Sequence, residues 1–324
     1  MPDSGGAGER AGSEEPEAQF ERGVQALGEA RSIEDAARAA ELIEGAADAG
    51  HAAAAERCAL IECMGIGRPI NWHRALDRVA QAANQGSERA ARQLLLFAGQ
   101  ESLPRVDWNQ VRVEIDADAL VAARKSIVAL EKPLVQVFQA FASPAECRWL
   151  IETADERLGP STVYDYSTGA LRPDPRRTSR AAMFTFDQID LVTEMIRARI
   201  SSSLRLPLQR FEVSQVLHYA PGQEFKPHHD YFDPASEGFQ EEITQRGQRV
   251  ATFLIYLNDA FEGGQTHFPS LGFSYRGEIG DSIAFFSVGP EGRPEPLTLH
   301  AGLPPTSGEK WIFSQWVRDR RPQG

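Results

Sequence analysis

The chain has 324 residues, 42% hydrophobic and 25% charged, enough for one sizeable domain plus a small one. Its formal net charge of −12 argues against a nucleic-acid backbone as partner, although the arginines between Arg172 and Arg180 form a locally basic stretch. There is no apolar run of membrane-spanning length, and the acidic start lacks the plan of a signal peptide, so no membrane partner and a cytoplasmic location are expected.

Residues 1–18, rich in Gly, Ser and Glu, are predicted to be a disordered tail. Residues 19–100 are rich in alanine, with helical periodicity broken by glycine. The stretch Arg38-Ala39 … Ala46-Ala47-Asp48-Ala49-Gly50 returns as Arg74-Ala75 … Ala82-Ala83-Asn84-Gln85-Gly86, a spacing that fits helix-turn-helix units. Alanines let paired helices approach closely, and glycines close helix ends. This Ala-Ala-x-x-Gly pattern resembles Sel1-like repeats, relatives of the tetratricopeptide repeat. Two readings of 19–100 stand side by side: a surface that binds a protein partner, or a helical appendage that only packs. Cys58, Cys63 and Cys147 are odd in number and lack metal spacing, which reads as reduced thiols, with Cys58 and Cys63 in a helical hairpin.

Residues 101–131 read as a connector, with a short strand at Val111–Ile115, a helix over Asp118–Leu130 and an added edge strand. From residue 132 to 319 short strands dominate, predicted at 133–138, 211–219, 250–257, 281–288, 296–300 and 311–317, with helices at 144–157 and 187–203. Strands of this kind between Gly/Pro turns predict a double-stranded β-helix, the jelly-roll plan, buttressed by helices. The fold class is therefore α+β, an all-α repeat domain followed by a jelly-roll domain. Two long loops, 160–182 and 232–248, are expected to be functional.

Within the strand-rich part, His228 and Asp230 stand two residues apart in an extended segment, so both side chains project to one side and chelate one ion. His300 comes from another strand. Two imidazoles and a carboxylate on one face of a metal leave open positions, the arrangement of non-heme Fe(II) oxygen chemistry. Lys310 opens a strand-like run in which Lys310, Ile312, Ser314 and Trp316 share a face. If that face looks into a pocket, an ammonium reaches inward beside an aromatic wall. Each piece alone has an ordinary fate as a solvated loop or surface residue; their order and their strand-like settings give the set its weight.

The similarity extends well beyond these four residues. Ser143-Pro144-Ala145-Glu146-Cys147, Arg177-Thr178-Ser179, Glu212 … Gln215 … Tyr219-Ala220-Pro221-Gly222, His228-His229-Asp230-Tyr231-Phe232, Tyr256-Leu257-Asn258 … Gly263-Gly264-Gln265-Thr266 and His300 … Gly308-Glu309-Lys310-Trp311 … Gln315-Trp316 cover almost all of 132–319. Together they resemble the catalytic domain of bacterial-type prolyl 4-hydroxylases, Fe(II)/2-oxoglutarate-dependent dioxygenases. The resemblance implies Fe(II) on His228, Asp230 and His300, and 2-oxoglutarate held by Lys310, Thr266 and Tyr219. O2 is the other co-substrate and ascorbate a supporting reductant. It also implies a loop at 160–182 that covers a peptide, and Arg177, Arg249, Trp316 and Tyr231 as substrate or pocket-wall residues. Related halogenases lack the carboxylate, so Asp230 favours hydroxylation. The chain departs from the superfamily's Arg-x-Ser: it has Lys310-Trp311-Ile312, where lysine is the choice of the prolyl 4-hydroxylase branch but Ile312 does not replace the serine. A peptide or protein substrate, with hydroxylation of a prolyl residue, is expected. Hydroxylation of a free amino acid or small natural product, and a repeat-mediated interaction protein with a vestigial barrel, remain as alternatives.

Overall fold

The computed structural model describes residues 15–100, 102, 107–165, 170–289 and 291–321. The chain forms one unit up to Asp118 and a second from Ala119. The first is all-helical, with α1 (Pro16–Glu29), α2 (Ile33–Asp48), α3 (Ala52–Met64), α4 (Trp72–Asn84), α5 (Glu88–Phe97) and α6 (Trp108–Glu114); α7 (Ala117–Val121) spans the boundary. Helices α2 to α6 open on Ser32, His51, Asn71, Ser87 and Asp107, whose side chains accept first-turn amides that would otherwise lack a partner. The repeat seen in the alanines is also a repeat of backbone. Gly50 and Gly86 have φ of 101° and 96°. After them the amides of His51 and Ser87 donate to Ala46 and Ala82, at 3.0 Å in each turn. The alanines on the facing sides, among them Ala39, Ala47, Ala55 and Ala82, are buried.

Three expectations for this part change. Residues 1–14 of the acidic tail lie outside the described residues, and residues 16–18 already belong to α1. The segment Val111–Ile115 is not a strand: α6 covers it, capped by Asp107, which accepts from Asn109 and Gln110. Val111 and Ile115 are buried while Val113 is 76% exposed, so the alternation was the four-residue spacing of a helix. The helix expected over 118–130 ends at Val121, and an edge strand begins at Ile127.

The second unit starts with β1 (Ile127–Glu131) and β2 (Leu134–Phe138), then α8 (Pro144–Asp155). Next come β3 (Gly159–Pro160), β4 (Thr162–Asp165), β5 (Ala170–Pro173), β6 (Arg180–Met183) and α9 (Leu191–Leu204). β7 (Gln215–Tyr219), β8 (Phe225–His228), α10 (Glu237–Arg246), β9 (Arg249–Tyr256) and β10 (Phe261–Gly263) follow. The chain closes with β11 (Thr266–Phe268), β12 (Phe273–Tyr275), β13 (Ser282–Phe286), β14 (His300–Gly302), β15 (Pro305–Gly308) and β16 (Lys310–Arg318). A major sheet runs β1-β2-β13-β9-β16-β7-β6-β3 and a minor one β12-β11-β14-β8, with β10–β15 and β4–β5 as separate pairs. Phe268 of the minor sheet meets Phe285 of the major edge-on at 5.3 Å, so the two sheets close on a shared core, the double-stranded β-helix.

The long loops are partly ordered elements. Residues 160–182 contain the β4–β5 hairpin, with 166–169 outside the described residues. Residues 232–248 contain α10, held by Glu242 to the fully buried Arg318 at 2.5 Å and by Phe239 against Phe232. The strand expected at 296–300 is a 3-10 turn over Pro296–Thr298 that delivers His300 as the first residue of β14. Among the described residues no helix is long and apolar enough to cross a membrane.

Helices α8 and α9 buttress the unit through polar contacts. Ser143 and Glu146 form a capping box at the start of α8, and Pro144 takes the first turn. Glu146 also accepts two bonds from Arg199 of α9, at 3.0 and 2.8 Å, while Arg199 reaches the carbonyls of Phe141 and Leu120. Both partners are buried, so removing one strands the other's charge. Glu146→Ala is expected to destabilise this unit by about 3–5 kcal/mol, measured as a fall in the urea midpoint of the strand-rich signal.

Candidate active site

Strands β8 and β14 pair so that His300 stands opposite His228. Asp230 lies two residues beyond His228, and the ligand atoms of the three lie within 4.8 Å of one another. The Nε2 atoms of His228 and His300 each stand 3.6 Å from an Asp230 oxygen. Their Nδ1 atoms face the carbonyls of Lys226 at 2.8 Å and Thr298 at 3.0 Å. Only a protonated nitrogen donates to a carbonyl, so the lone pair is left on Nε2, aimed at the shared centre. Thr252 of β9 donates its hydroxyl to Asp230 at 2.6 Å. Phe225 stacks on His228 at 3.5 Å and Phe285 packs on His300 at 4.5 Å, so rotation of either ring is blocked.

Burial and then the neighbouring His300 hold the His228 imidazole far below its ordinary value. Burial opposes ionisation of Asp230, but His300, His228 and the Thr252 hydroxyl together outweigh it and hold the carboxyl low. A neutral imidazole beside an ionised carboxylate is the protonation state that accepts a divalent cation without first releasing protons. Two nitrogen donors and one oxygen donor fit Fe(II).

A cleft opens over the three residues. Its wall is the inner face of the major sheet: Lys310, Ile312, Ser314 and Trp316 of β16, Leu217 and Tyr219 of β7, and Thr252 and Leu254 of β9. The two-residue period read along 310–316 is therefore realised. Phe225, Thr266, Gly302 and Arg177 complete the lining. Lys310 pairs in register with Tyr219 and is 2% exposed. Its Nζ lies 5.1 Å from the Tyr219 ring and 5.5 Å from the Tyr256 ring, with no hydrogen-bond or ion-pair partner among the described residues. Burial pushes this ammonium down to about 7.

Thr266 lies 2.9 Å from the Tyr256 hydroxyl, which itself donates to the Tyr275 carbonyl at 2.8 Å. Tyr256's proton is thus committed, and Thr266 is the donor of their pair. Arg177 is 6% exposed, donates to Gln215 at 3.1 Å and lies over the Phe225 ring at 5.1 Å, while its Nε has no partner. Trp316 Nε1 is likewise buried without a partner.

Two expected residues stand elsewhere. Arg249 is not in the cleft lining; it makes a two-pronged pair with Glu212 at 2.7 and 2.9 Å and stacks on the lining residue Trp316 at 3.8 Å. The pairing of β9 with β16 is irregular here, with Val317 opposite Ala251 but Arg318 opposite Arg249, so the two-residue alternation that carries Thr252 and Leu254 does not extend to Arg249. Tyr231 lies against the His229 ring at 4.6 Å, outside the cleft lining. Thr252 and Tyr256 were not singled out from sequence, although alternation along β9 puts both on the face of Leu254.

Residues 214–318 match the profile of the 2OG-Fe(II) oxygenase superfamily. Prolyl 4-hydroxylase 1 of Arabidopsis thaliana is 36% identical over 220 residues, covering 63% of this chain and 76% of the relative. A putative prolyl 4-hydroxylase of Acanthamoeba polyphaga mimivirus is 31% identical over 186 residues, covering 57% and 74%. Among solved structures, the viral collagen prolyl hydroxylase of Paramecium Bursaria Chlorella virus-1 in complex with 2OG matches at 31% identity with a TM-score of 0.45, covering 57% of this chain and 95% of its own.

The secluded lysine has a measurable consequence. Its folded-state value near 7 lies below the 10.5 of a free lysine, so between these limits the unfolded chain binds the extra proton. The penalty is complete below pH 7 and relieved as pH rises toward 10.5. Lys310→Met is therefore expected to stabilise the ligand-free protein at pH 7 by a few kcal/mol and to remove this rise, in urea titrations at pH 7 and 9.5.

Proposed function

The chain belongs to the prolyl 4-hydroxylase family of the 2OG-Fe(II) oxygenase superfamily, and from that membership we propose that it hydroxylates prolyl residues of a peptide or protein. His228, Asp230 and His300 would hold the Fe(II). The observation that carries the reading is the unpaired, buried Lys310 ammonium in the same cleft as these three residues. A cation kept from water without a counter-ion is a site for an anion, and a dicarboxylate that also reaches the metal is the anion this cleft fits.

Bound Fe(II) supplies the oxidative chemistry that couples decarboxylation of 2-oxoglutarate to hydroxylation of a C–H bond. The chain's own residues set its conditions. Lys310 takes the distal carboxylate, a charge-assisted contact among the stronger kinds of hydrogen bond. Tyr219, whose hydroxyl already bonds Ser179, stands beside it. Leu217, Leu254 and Ile312 keep the floor apolar. Arg177 and Trp316, each with a nitrogen that lacks an acceptor, are placed to meet substrate carbonyls. The helical unit, on this reading, recruits a protein that carries the target.

The decisive experiment incubates proline-containing peptides with the protein, Fe(II) and 2-oxoglutarate and looks for a gain of one oxygen by mass spectrometry. His300→Ala should abolish both this product and succinate release; undiminished succinate would sink the assignment. If free proline or a small metabolite is oxidised and no peptide is, the small-molecule alternative replaces it.

Lys310 gives a pH test. Only the protonated form pairs with a carboxylate, so 2-oxoglutarate affinity should be flat below about pH 7 and fall up to tenfold per unit above it. Calorimetry in buffers of different ionisation enthalpy should show proton uptake on binding. In Lys310→Ala both the affinity and this pH dependence should be lost.

Removal of residues 1–118 should leave turnover of a short peptide largely intact and weaken that of a full protein substrate. Equal rates on both, with an unchanged melting profile of the remaining unit, would remove the recruitment role.

A further inference from the structure

In the turn that leads from β5 toward the cleft, only Arg177 has a part in the roles above. Asp174, Pro175, Arg176 and Arg177 form it, with the Arg177 amide donating to the Asp174 carbonyl at 2.9 Å. The Asp174 side chain accepts the Arg176 amide at 2.8 Å, the local bond by which aspartate shapes turns. The same carboxylate holds the Arg176 guanidinium at 2.7 Å and is 8% exposed.

From this turn the backbone is stitched to β8, the edge strand that carries His228. Lys226 donates to the Arg176 carbonyl at 2.9 Å, and Thr178 to the Glu224 carbonyl at 3.0 Å. The Thr178 hydroxyl accepts the Glu224 amide at 2.9 Å. Two lines then run to the metal side of the cleft. Lys226, fixed by Arg176, presents the carbonyl that orients His228 Nδ1. Arg177, bridged to Phe225, covers the ring that stacks on His228. No carboxylate makes a contact ion pair with Arg177 among the described residues; Asp230 and Asp174 act on its guanidinium only at longer range. The contacts that hold it there are the backbone of the turn and the bond to Gln215.

We propose that Asp174 is a positioning residue for the reaction: by shaping the turn it holds Arg177 in the cleft and steadies β8 behind His228. The substrate side of this proposal rests on the prolyl hydroxylase reading; the metal side does not. The exposed guanidinium of Arg176 is incidental, because its backbone carbonyl makes the contact to Lys226.

The test uses the full-length protein with Asp174→Ala, Asp174→Asn and Arg176→Ala. In the first arm, Co(II) alone is titrated and its visible absorption recorded, without co-substrate. Asp174→Ala is expected to shift the band and weaken Co(II) binding by about tenfold, the scale on which groups that orient metal ligands act. Asp174→Asn keeps a side-chain oxygen for the Arg176 amide and should restore both. Arg176→Ala keeps the carbonyl and should resemble the parent. In the second arm, Asp174→Ala is expected to raise the KM for a proline-containing peptide by about tenfold while the KM for 2-oxoglutarate, set at Lys310, moves less than about twofold. Parental Co(II) behaviour and parental peptide KM in Asp174→Ala would overturn the proposal. So would failure of Asp174→Asn to restore them, with both KM values and Tm altered together, which would mean lost structure rather than positioning. If the parent protein hydroxylates no prolyl peptide, the functional reading fails, and the Co(II) arm alone decides the role of Asp174.

Discussion

The register between β8 and β14 is the constraint on which the site depends. His300 faces His228 across that pair, and a slip of one residue would turn His300 to the other side of the sheet and place Ala301 in the cleft. Several features hold the register from outside the pair. The turn over Pro296–Thr298, capped by Glu295, delivers the strand at His300. On the other edge of β14, Ala301 pairs with His267 and Gly302 with Thr266. The irregularity between His300 and Gly302 then leaves Gly302 opposite Phe225, whose ring stacks on His228. The bonds that orient the two imidazoles come from residues two positions earlier in the chain, Lys226 in β8 and Thr298 in the turn before β14. Correct pairing and correct ligand orientation are thus one condition.

Charge balance explains why the cleft is organised around ligands rather than around itself. The described lining carries one carboxylate, Asp230, against two cations, Lys310 and Arg177. A divalent metal and doubly ionised 2-oxoglutarate neutralise each other, and Asp230 then offsets Lys310. Arg177 remains uncompensated, with one nitrogen still lacking an acceptor. An uncompensated buried donor is costly, and the polar groups that can answer it are those of a substrate with acceptors along its backbone. A peptide has them in series; a small apolar molecule does not.

Much of this was legible in the sequence because strands expose their parity. His228 with Asp230, and Lys310 with Ile312, Ser314 and Trp316, could be assigned to faces by counting in twos. Arg249 could not be placed by counting, because the ladder opposite it is irregular; it stands on the lining residue Trp316 while tied to Glu212. Thr252 and Tyr256 were available by parity. The misread elements had different causes, one tertiary and one local. α10 is a polar segment whose helicity depends on Glu242 meeting Arg318 and on Phe239 meeting Phe232, contacts distant in sequence. Val111-Arg112-Val113-Glu114-Ile115 fits both periods, and the local cap at Asp107 decided for the helix. The alanine repeat was readable for the opposite reason: its turn is local, and Gly50 and Gly86 close it identically.

Lys310 shows how backbone geometry becomes binding strength. The β10–β15 pair packs closely against its stem, and glycines make that approach possible. At Gly264, with φ of +67°, a Cβ would stand 2.7 Å from the Phe261 ring and 3.2 Å from Lys310 Cδ. At Gly308, with φ of +70°, it would stand 2.3 Å from the Ala260 carbonyl oxygen. Larger residues would pry the pair apart and admit water beside the ammonium. A solvated lysine gains about 0–1 kcal/mol from a carboxylate, too little to select one dicarboxylate in a cell full of anions. A secluded one gains more, but only from an anion long enough to reach it while its other end meets the metal. The seclusion that destabilises the empty protein is therefore the same feature that gives the cleft its preference for a dicarboxylate of fixed length.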